Sequence, residues 1–215
     1  MNVLLDHFAL FREGFLGTVE LTALSGLIAL VLGVVIAAFR VSPVPPLRYF
    51  GTTWVLLFRN TPLTLLFFVV VLALPRLGLN TWSFFQLAVL ALSTYTSAFV
   101  CEAVRSGINT VPLGQAEAAR SIGMTFTQTL RLIVLPQATR TALPPIGSLM
   151  IALTRNSAIA GGFSVFELFS VQKTLSEEGY GIWTIFVWVA AAYLLLAFVI
   201  SALFRFLENR MAVAR

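Results

Sequence analysis

The chain has 215 residues, of which 59% are hydrophobic and only 11% are charged, and its mean hydropathy is +0.93. An average soluble domain is about one quarter charged. This chain therefore has too little polar surface to cover a core in water, and we expect it to lie in a lipid bilayer. One cysteine, Cys101, and one histidine, His7, exclude a disulfide framework within the chain and a metal site built from cysteines or several histidines. The net charge of +5 does not indicate nucleic acid binding, because membrane proteins concentrate basic residues beside cytoplasmic helix ends.

Five segments predict transmembrane helices, because a bilayer core needs roughly 20 apolar residues in helical form. Three are uncharged over their whole length: Leu21–Phe39, Leu77–Cys101 and Gly179–Phe204. Two others contain charges and prolines: Tyr49–Pro75, with Arg59 and Pro62, and Leu132–Thr154, with Arg140 and the pair Pro144-Pro145. The N-terminal stretch lacks the basic region of a cleaved signal peptide, so we expect the first span to be retained. The prediction is an all-α membrane protein with five transmembrane helices in a single domain over residues 1–215.

The distribution of basic residues predicts how these spans are oriented. The loops after the first and third spans and the C-terminal tail carry eight arginines: Arg40, Arg48, Arg105, Arg120, Arg131, Arg205, Arg210 and Arg215. The opposite side carries four basic residues, Arg12, Arg76, Lys173 and Arg155, and five acids, Asp6, Glu13, Glu167, Glu177 and Glu178. Because cytoplasmic loops are richer in arginine and lysine, we expect the N-terminus outside and the C-terminus in the cytoplasm.

The segment GQAEAARSIGMTF, residues 114–126, is too polar to span the bilayer, and we expect two short cytoplasmic helices there. Pro112 suits a first helical turn, and Gly123 supplies a stop that can take a positive φ. Thr125, with Gln128 three residues later, has the pattern of a capping box that starts the second helix. Alanines and glycines allow close approach by another protein, so the segment suits docking in a groove on a partner. From these residues alone, an ordinary amphipathic helix at the membrane interface explains the pattern equally well.

The same segment resembles the EAA loop of permease subunits of binding-protein-dependent ABC importers. The matching residues are Glu117-Ala118-Ala119, Gly123 and the closing Ile133–Pro136. Three further segments resemble the polar-amino-acid permeases of that family: LFRNTPLTLLFF (57–68), YTSAFVCEAVRSGINTVPLGQ (95–115) and LTRNSAIA (153–160). The departures are Ser106, where a second glycine is usual, and Ile159, where leucine is common. Four matching segments in order identify the chain as a member of this family.

The resemblance implies a transport mechanism and its partners. Two permease subunits, identical or homologous, form the pathway, and each seats its EAA loop (here about residues 109–136) on an ABC ATPase subunit. An extracytoplasmic substrate-binding protein delivers the amino acid. The residues that the resemblance assigns to coupling are Gly114, Glu117, Ala118, Ala119, Arg120, Gly123 and Met124.

We expect ATP and Mg to bind to the partner ATPase, and we expect this chain to bind no cofactor. The chain has no G-x-x-x-x-G-K-[ST] motif, so we do not expect it to be an enzyme. The family lies in the bacterial cell membrane. The alternative class is an autonomous channel or secondary transporter in which the segment is only an interfacial loop helix.

Polar residues within the spans or near their ends are candidates for the substrate pathway, because intramembrane charge is costly. They are Arg59, Asn60, Thr61, Thr96, Thr154, Arg155, Asn156 and Ser157. Arg59 fits either a pore-facing site for a substrate carboxylate or an ion pair with Glu102, or it extends to the interface.

Arg155 suits carboxylate binding and outer anchoring equally, and the hydroxyls of STYTS (93–97) also suit helix packing. We expect a local ion pair between Glu102 and Arg105. The small number of acids within the spans favours a zwitterionic or acidic amino acid, such as glutamate, over a cationic one.

Overall fold

A computed structural model of the chain describes residues 3–78 and 82–211, and each regular element in these ranges is helical. Four helices have more than 20 residues: α2 (Phe8–Val41), α6 (Phe84–Asn109), α9 (Leu135–Asn156) and α12 (Ile182–Met211). The shorter helices are α1 (Val3–Asp6), α3 (Pro45–Asn60), α4 (Leu63–Phe67), α5 (Leu74–Arg76), α7 (Leu113–Ser121), α8 (Phe126–Thr129), α10 (Ala158–Gly161) and α11 (Leu168–Glu177). Two π-helical stretches, Phe68–Ala73 and Leu130–Val134, join α4 to α5 and α8 to α9.

The membrane-spanning capacity of these helices confirms the predicted class. Among the described residues, α2, α6 and α12 are each long and apolar enough to cross a bilayer. Helix α3 and the stretch Leu63–Arg76 are long and apolar enough to cross a bilayer only when they are taken together. The angle of the bend between them is 105°. Helix α9 has the length of a span, with 22 residues. Its glutamine, threonines, Arg140 and proline pair make it less apolar than those three helices.

The bend between α3 and α4 has its cause at Thr61 and Pro62. Proline lacks the N–H that a continuing helix needs and moves the preceding residue towards extended conformations. Thr61 accordingly has ψ of 128°, and α4 begins after Pro62. The predicted span Tyr49–Pro75 is therefore broken at Pro62.

The predicted spans also differ from the helices at their ends. Helix α2 begins at Phe8, well before the apolar segment that starts at Leu21. Its first turns therefore contain charged residues that the predicted span left out. The span predicted from Leu77 is wrong at both ends, since α6 begins at Phe84 and continues to Asn109. Residues 79–81 lie outside the described ranges, as does Arg215 of the predicted cytoplasmic tail.

Ser83 explains where α6 begins. Its hydroxyl accepts a hydrogen bond from the Gln86 backbone N–H, and the Gln86 side chain accepts one from the Ser83 backbone. This reciprocal capping box satisfies two donors at the helix start. Helix α12 begins at Ile182 and not at the predicted Gly179, which has a φ of +91° in the preceding turn.

Small residues allow the long helices to pack closely. A Cβ atom added to Gly33 of α2 would lie 2.5 Å from Val100 Cγ1 of α6. One added to Gly107 of α6 would lie 2.5 Å from the Ala138 carbonyl oxygen of α9. Such close approach is typical of helix contacts in membranes, where small residues let backbones meet. Helices α2, α6 and α9 therefore form a closely packed unit, and the segment from α7 to α8 leaves this unit and returns to it.

The candidate coupling segment and the polar clusters

The end of α7 is specified by hydrogen bonds within the segment 112–129, which we call the α7–α8 segment. Gly123 has a φ of +85°, a conformation that glycine adopts without the strain a side chain would cause. Its N–H donates to the Arg120 carbonyl at 3.0 Å, and the Met124 N–H donates to the Ala119 carbonyl at 3.1 Å. This pair of bonds is the Schellman motif, which satisfies the last carbonyls of a helix. The predicted stop at Gly123 is confirmed.

The start of α8 is specified in the same local way. The Gln128 backbone N–H donates to Thr125 Oγ1 at 3.3 Å, and the Thr125 N–H donates to Gln128 Oε1 at 2.8 Å. The predicted capping box is therefore present with both of its bonds. Since caps at both sides of the turn come from residues within the segment, its shape does not require a partner.

The coupling residues suggested by the resemblance mostly lie on the open side of this segment. Gly114, Glu117, Ala118, Arg120 and Gly123 are exposed, Met124 is half-buried, and Ala119 is buried against the rest of the chain. The side chain of Gln137 on α9 hydrogen-bonds that of Gln115, which ties α7 to the bundle.

Sequence reasoning missed three apolar residues of this surface. Leu113, Ile122 and Phe126 are 81%, 80% and 78% exposed. Large apolar residues within an otherwise polar segment were the signal that could have identified them. Each adds an exposed apolar side chain to the segment, which also exposes Gly114 and Gly123.

A second feature is a cluster of charges around Glu102 of α6, which we call the Glu102 cluster. Arg105 Nη2 lies 2.8 Å from Glu102 Oε2, so the predicted ion pair is confirmed. Arg40, at the end of α2, pairs with Oε1 of the same carboxylate. Arg59 Nη1, near the end of α3, lies 3.6 Å from that oxygen, and its guanidinium lies 5.6 Å from the centre of the Phe99 ring. The structure thus brings Arg59 to Glu102, one of the three alternatives for this residue.

The other candidate pathway residues hydrogen-bond mainly within their own helices. Asn60 and Thr61 donate to carbonyls of Leu56 and Leu57 at 2.7 and 2.8 Å, at the end of α3. At the end of α9, the buried Thr154 donates to the Met150 carbonyl at 3.0 Å. The polar candidates are therefore divided between the bend after α3 and the end of α9, with the buried Thr96 on α6.

The side chains around Arg155 differ in their accessibility. Arg155 is exposed and Asn156 is half-buried. Ser157 is buried and donates to the Thr154 carbonyl at 2.7 Å, and it also lies within hydrogen-bonding reach of Tyr193. Arg155 is therefore the exposed charged side chain of this group.

The distribution of charges predicted Glu167 to lie on the outer side of the membrane with four other acids. In the structure its side chain is completely buried. Its carboxylate accepts hydrogen bonds from the backbone N–H groups of Phe169 and Ser170, both at 2.9 Å, and from the Tyr193 hydroxyl at 2.5 Å. Burial raises the pKa of the Glu167 carboxyl above its ordinary value, against the opposing effect of these bonds. Glu167 caps α11 and joins it to α12 (the Glu167 network).

Known proteins resemble this chain over nearly its whole length. Residues 29–213 match the family described as binding-protein-dependent transport system inner membrane component. The chain is 38% identical to the probable glutamine ABC transporter permease protein GlnM of Bacillus subtilis, over 98% of this chain and 97% of that protein. It is 39% identical to the glutamate transport system permease protein GluC of Corynebacterium efficiens, over 92% of each. It is 32% identical to the glutamate/aspartate import permease protein GltJ of Escherichia coli, over 92% and 85%.

Solved structures show the same arrangement of helices. A chain of an amino acid ABC transporter crystallised with histidines has a TM-score of 0.89 and 30% identity, with 96% of each chain covered. A chain of the inward-facing MetNI methionine ABC transporter has a TM-score of 0.79, with 97% of this chain and 99% of that chain covered. At 21% identity, the second likeness concerns the fold alone.

Proposed function

Because the chain belongs to the binding-protein-dependent transport system inner membrane component family, as a polar-amino-acid ABC permease subunit, we propose that it forms the translocation pathway of an ATP-driven importer. It does so with a second permease subunit, identical or homologous. The α7–α8 segment docks on an ABC ATPase subunit, which binds ATP and Mg, while this chain hydrolyses no ATP. The N-terminus lies outside and the C-terminus in the cytoplasm, with α9 and the bent pair after α2 completing five crossings.

The observation that carries the proposal is the surface of the α7–α8 segment. Its turn is fixed by its own caps, and Leu113, Ile122 and Phe126 project from it with about four fifths of their surfaces exposed. Exposed apolar side chains on an ordered element mark sites of contact with a protein or a membrane. A preformed helix with such residues suits a groove on a partner, because little ordering is needed on binding.

The connections of the segment suit the transmission of movement. Helix α7 begins at Leu113, four residues after α6 ends at Asn109, and α8 continues through a π-helical stretch into α9. Helices α6 and α9 touch closely at Gly107 and Ala138. A displacement of the docked segment therefore acts on both helices at once, as expected when packed elements move as rigid bodies.

The proposed solute is a polar or acidic amino acid such as glutamate, delivered by an extracytoplasmic substrate-binding protein. The relatives named above are a probable glutamine permease, a glutamate permease and a glutamate/aspartate permease. Within this proposal the pathway includes the polar residues at the bend after α3, Thr96, and those at the end of α9. Arg59 and Arg155 are the cationic side chains among them, and guanidinium groups bind carboxylates well.

The test is Gly123→Pro in the complex reconstituted with its ATPase, second permease subunit and binding protein. Proline fixes φ near −65°, which is incompatible with the φ of +85° at this position, so the turn between α7 and α8 must change. We expect radiolabelled glutamate uptake to fall by about tenfold or more, which corresponds to a rise of about 1.4 kcal/mol or more in the free-energy barrier of transport. Stimulation of ATP hydrolysis should fall with it, while membrane insertion stays normal.

Gly179→Pro is the matched control, because Gly179 also follows a helix with a positive φ, +91°, and donates to the Ser176 carbonyl, but lies outside the α7–α8 segment. Its uptake should stay near wild type. Normal uptake by Gly123→Pro would contradict the coupling role. Uptake by this chain alone in liposomes, without an ATPase, would favour the autonomous channel or secondary transporter.

A further inference from the structure

The Glu102 cluster holds more positive charge than its one carboxylate can neutralise. Arg40, Arg59 and Arg105 each lie within 4.0 Å of Glu102, so three guanidinium charges share one negative charge and two positive charges remain. Among the described residues, no other acid lies within that distance of these arginines. The guanidinium charges that remain unneutralised repel one another, so the excess favours an additional anion.

The hydrogen-bond donors of the cluster are also incompletely used. A guanidinium carries five N–H donors. Arg59 has a 3.6 Å separation from Glu102, which is too long for a hydrogen bond, and its side chain is 45% exposed. The Nε of Arg105 is buried and, within the described part of the chain, has no hydrogen-bond partner. The least satisfied donors therefore lie on two arginines that approach opposite oxygens of Glu102.

We propose that the Glu102 cluster is a binding site for an oxyanion, which Arg59 and Arg105 hold with charge-assisted hydrogen bonds. Guanidinium groups match phosphate and carboxylate oxygens in geometry as well as in charge. Arg40, whose side chain is only 16% exposed, stays on Glu102 and fixes the carboxylate between α2 and α6. The bound oxyanion then joins α3, just before its bend, to α6.

Two sources can supply this chemistry, and they are separable by experiment. One is the phosphate of an anionic membrane lipid, since basic pockets between transmembrane helices bind anionic headgroups. The other is a dissolved oxyanion, such as inorganic phosphate or the carboxylate of an amino acid. The site itself rests on the charges and donors of the Glu102 cluster and does not depend on the proposed coupling role.

The experiment compares wild type with Arg59→Gln and Arg105→Gln as the full chain purified with its partner subunits. Each sample is placed in nanodiscs of phosphatidylcholine with or without phosphatidylglycerol, and native mass spectrometry counts the anionic lipids that are retained. A parallel arm measures binding of inorganic phosphate and of glutamate in phosphatidylcholine alone. Arg205→Gln is the matched control, because it removes an exposed arginine of α12 that lies outside the cluster.

We expect each cluster variant to weaken oxyanion binding about tenfold, the loss of one charge-assisted contact, while Arg205→Gln binds like wild type. Arg59→Lys keeps the charge but loses the guanidinium geometry, so it should bind more tightly than Arg59→Gln and more weakly than wild type, which separates loss of a ligand contact from loss of folding. Selective retention of phosphatidylglycerol identifies a lipid phosphate. Saturable binding of phosphate or glutamate that Arg59→Gln weakens identifies a dissolved oxyanion. Binding that is absent in all arms, or equal in Arg59→Gln and Arg205→Gln, would overturn the proposal.

Discussion

The helix bundle and the α7–α8 segment both depend on glycine, but for opposite reasons. In the bundle, Gly33 and Gly107 lie where an added Cβ would come within 2.5 Å of a neighbouring helix. In the segment, Gly114 and Gly123 have nothing within 4 Å of such an atom. The first pair allows helices to touch, and the second pair leaves backbone accessible. Glycines of the bundle should therefore control stability, whereas those of the segment should control contact with a partner.

The two regions also differ in where their shape is specified. The segment is fixed by caps that lie within a few residues, such as Thr125 with Gln128. The bundle is fixed by contacts between distant residues, such as Gly33 with Val100. Local specification lets the segment keep its form while exposing its side chains, and long-range specification makes the bundle sensitive to single substitutions.

The largest effect expected from this difference is that of Gly33→Leu. The new side chain would overlap Val100 and approach the Ser97 carbonyl, so α2 and α6 must separate. Overpacking of this kind costs about 3 kcal/mol, and we expect the free energy of unfolding in detergent to fall by that amount. Gly114→Leu, measured in the same way, should change it by less than about 0.5 kcal/mol. Equal losses in both variants would remove the distinction between the two regions.

A smaller effect concerns the pH dependence of the bundle, through Glu167. Because burial raises its pKa in the folded chain, the folded state binds this proton more tightly than the unfolded state does. This contribution to stability is fully present below the ordinary pKa of glutamate, about 4.3, and is lost as pH rises through the raised value. Glu167→Gln should therefore show a flatter fall in melting temperature above that pH.

Glu177→Gln provides the matched control, since Glu177 is exposed on the same helix, α11. Its melting temperature should follow the pH dependence of wild type. The account of Glu167 would be wrong if the two variants had the same dependence on pH.

The sequence predicted best the features that depend on neighbouring residues. Gly123 and the pair Thr125–Gln128 act through backbone groups a few positions away, so their patterns were sufficient to place the turn. The Glu102–Arg105 pair is likewise local, at a spacing of three residues on one helix. The all-helical class followed from composition, because few other structures are possible for so apolar a chain.

Features that depend on distant residues were missed or only partly predicted. From the sequence, Arg40 was recognised only as a basic residue that indicates the orientation of the spans. Its partner Glu102 is 62 positions away, so their ion pair was not predicted. Glu167 was placed among the outward acids, since nothing near it in sequence reveals the hydroxyl of Tyr193. Pro62 indicated where the helix breaks, but the sequence did not predict the 105° angle or that α4 packs into the core after it.

Thiol crosslinking tests the docking of the α7–α8 segment most directly. Cys101 is buried, so Ala118→Cys introduces an accessible thiol on the exposed side of α7. A crosslinker from this thiol to lysine should capture the ATPase subunit in the assembled complex, with a yield that changes on adding ATP. Glu177→Cys on α11 should capture none. The account would be contradicted if Ala118→Cys gave no crosslink to the ATPase, or reacted with a membrane-impermeant reagent from outside the cell.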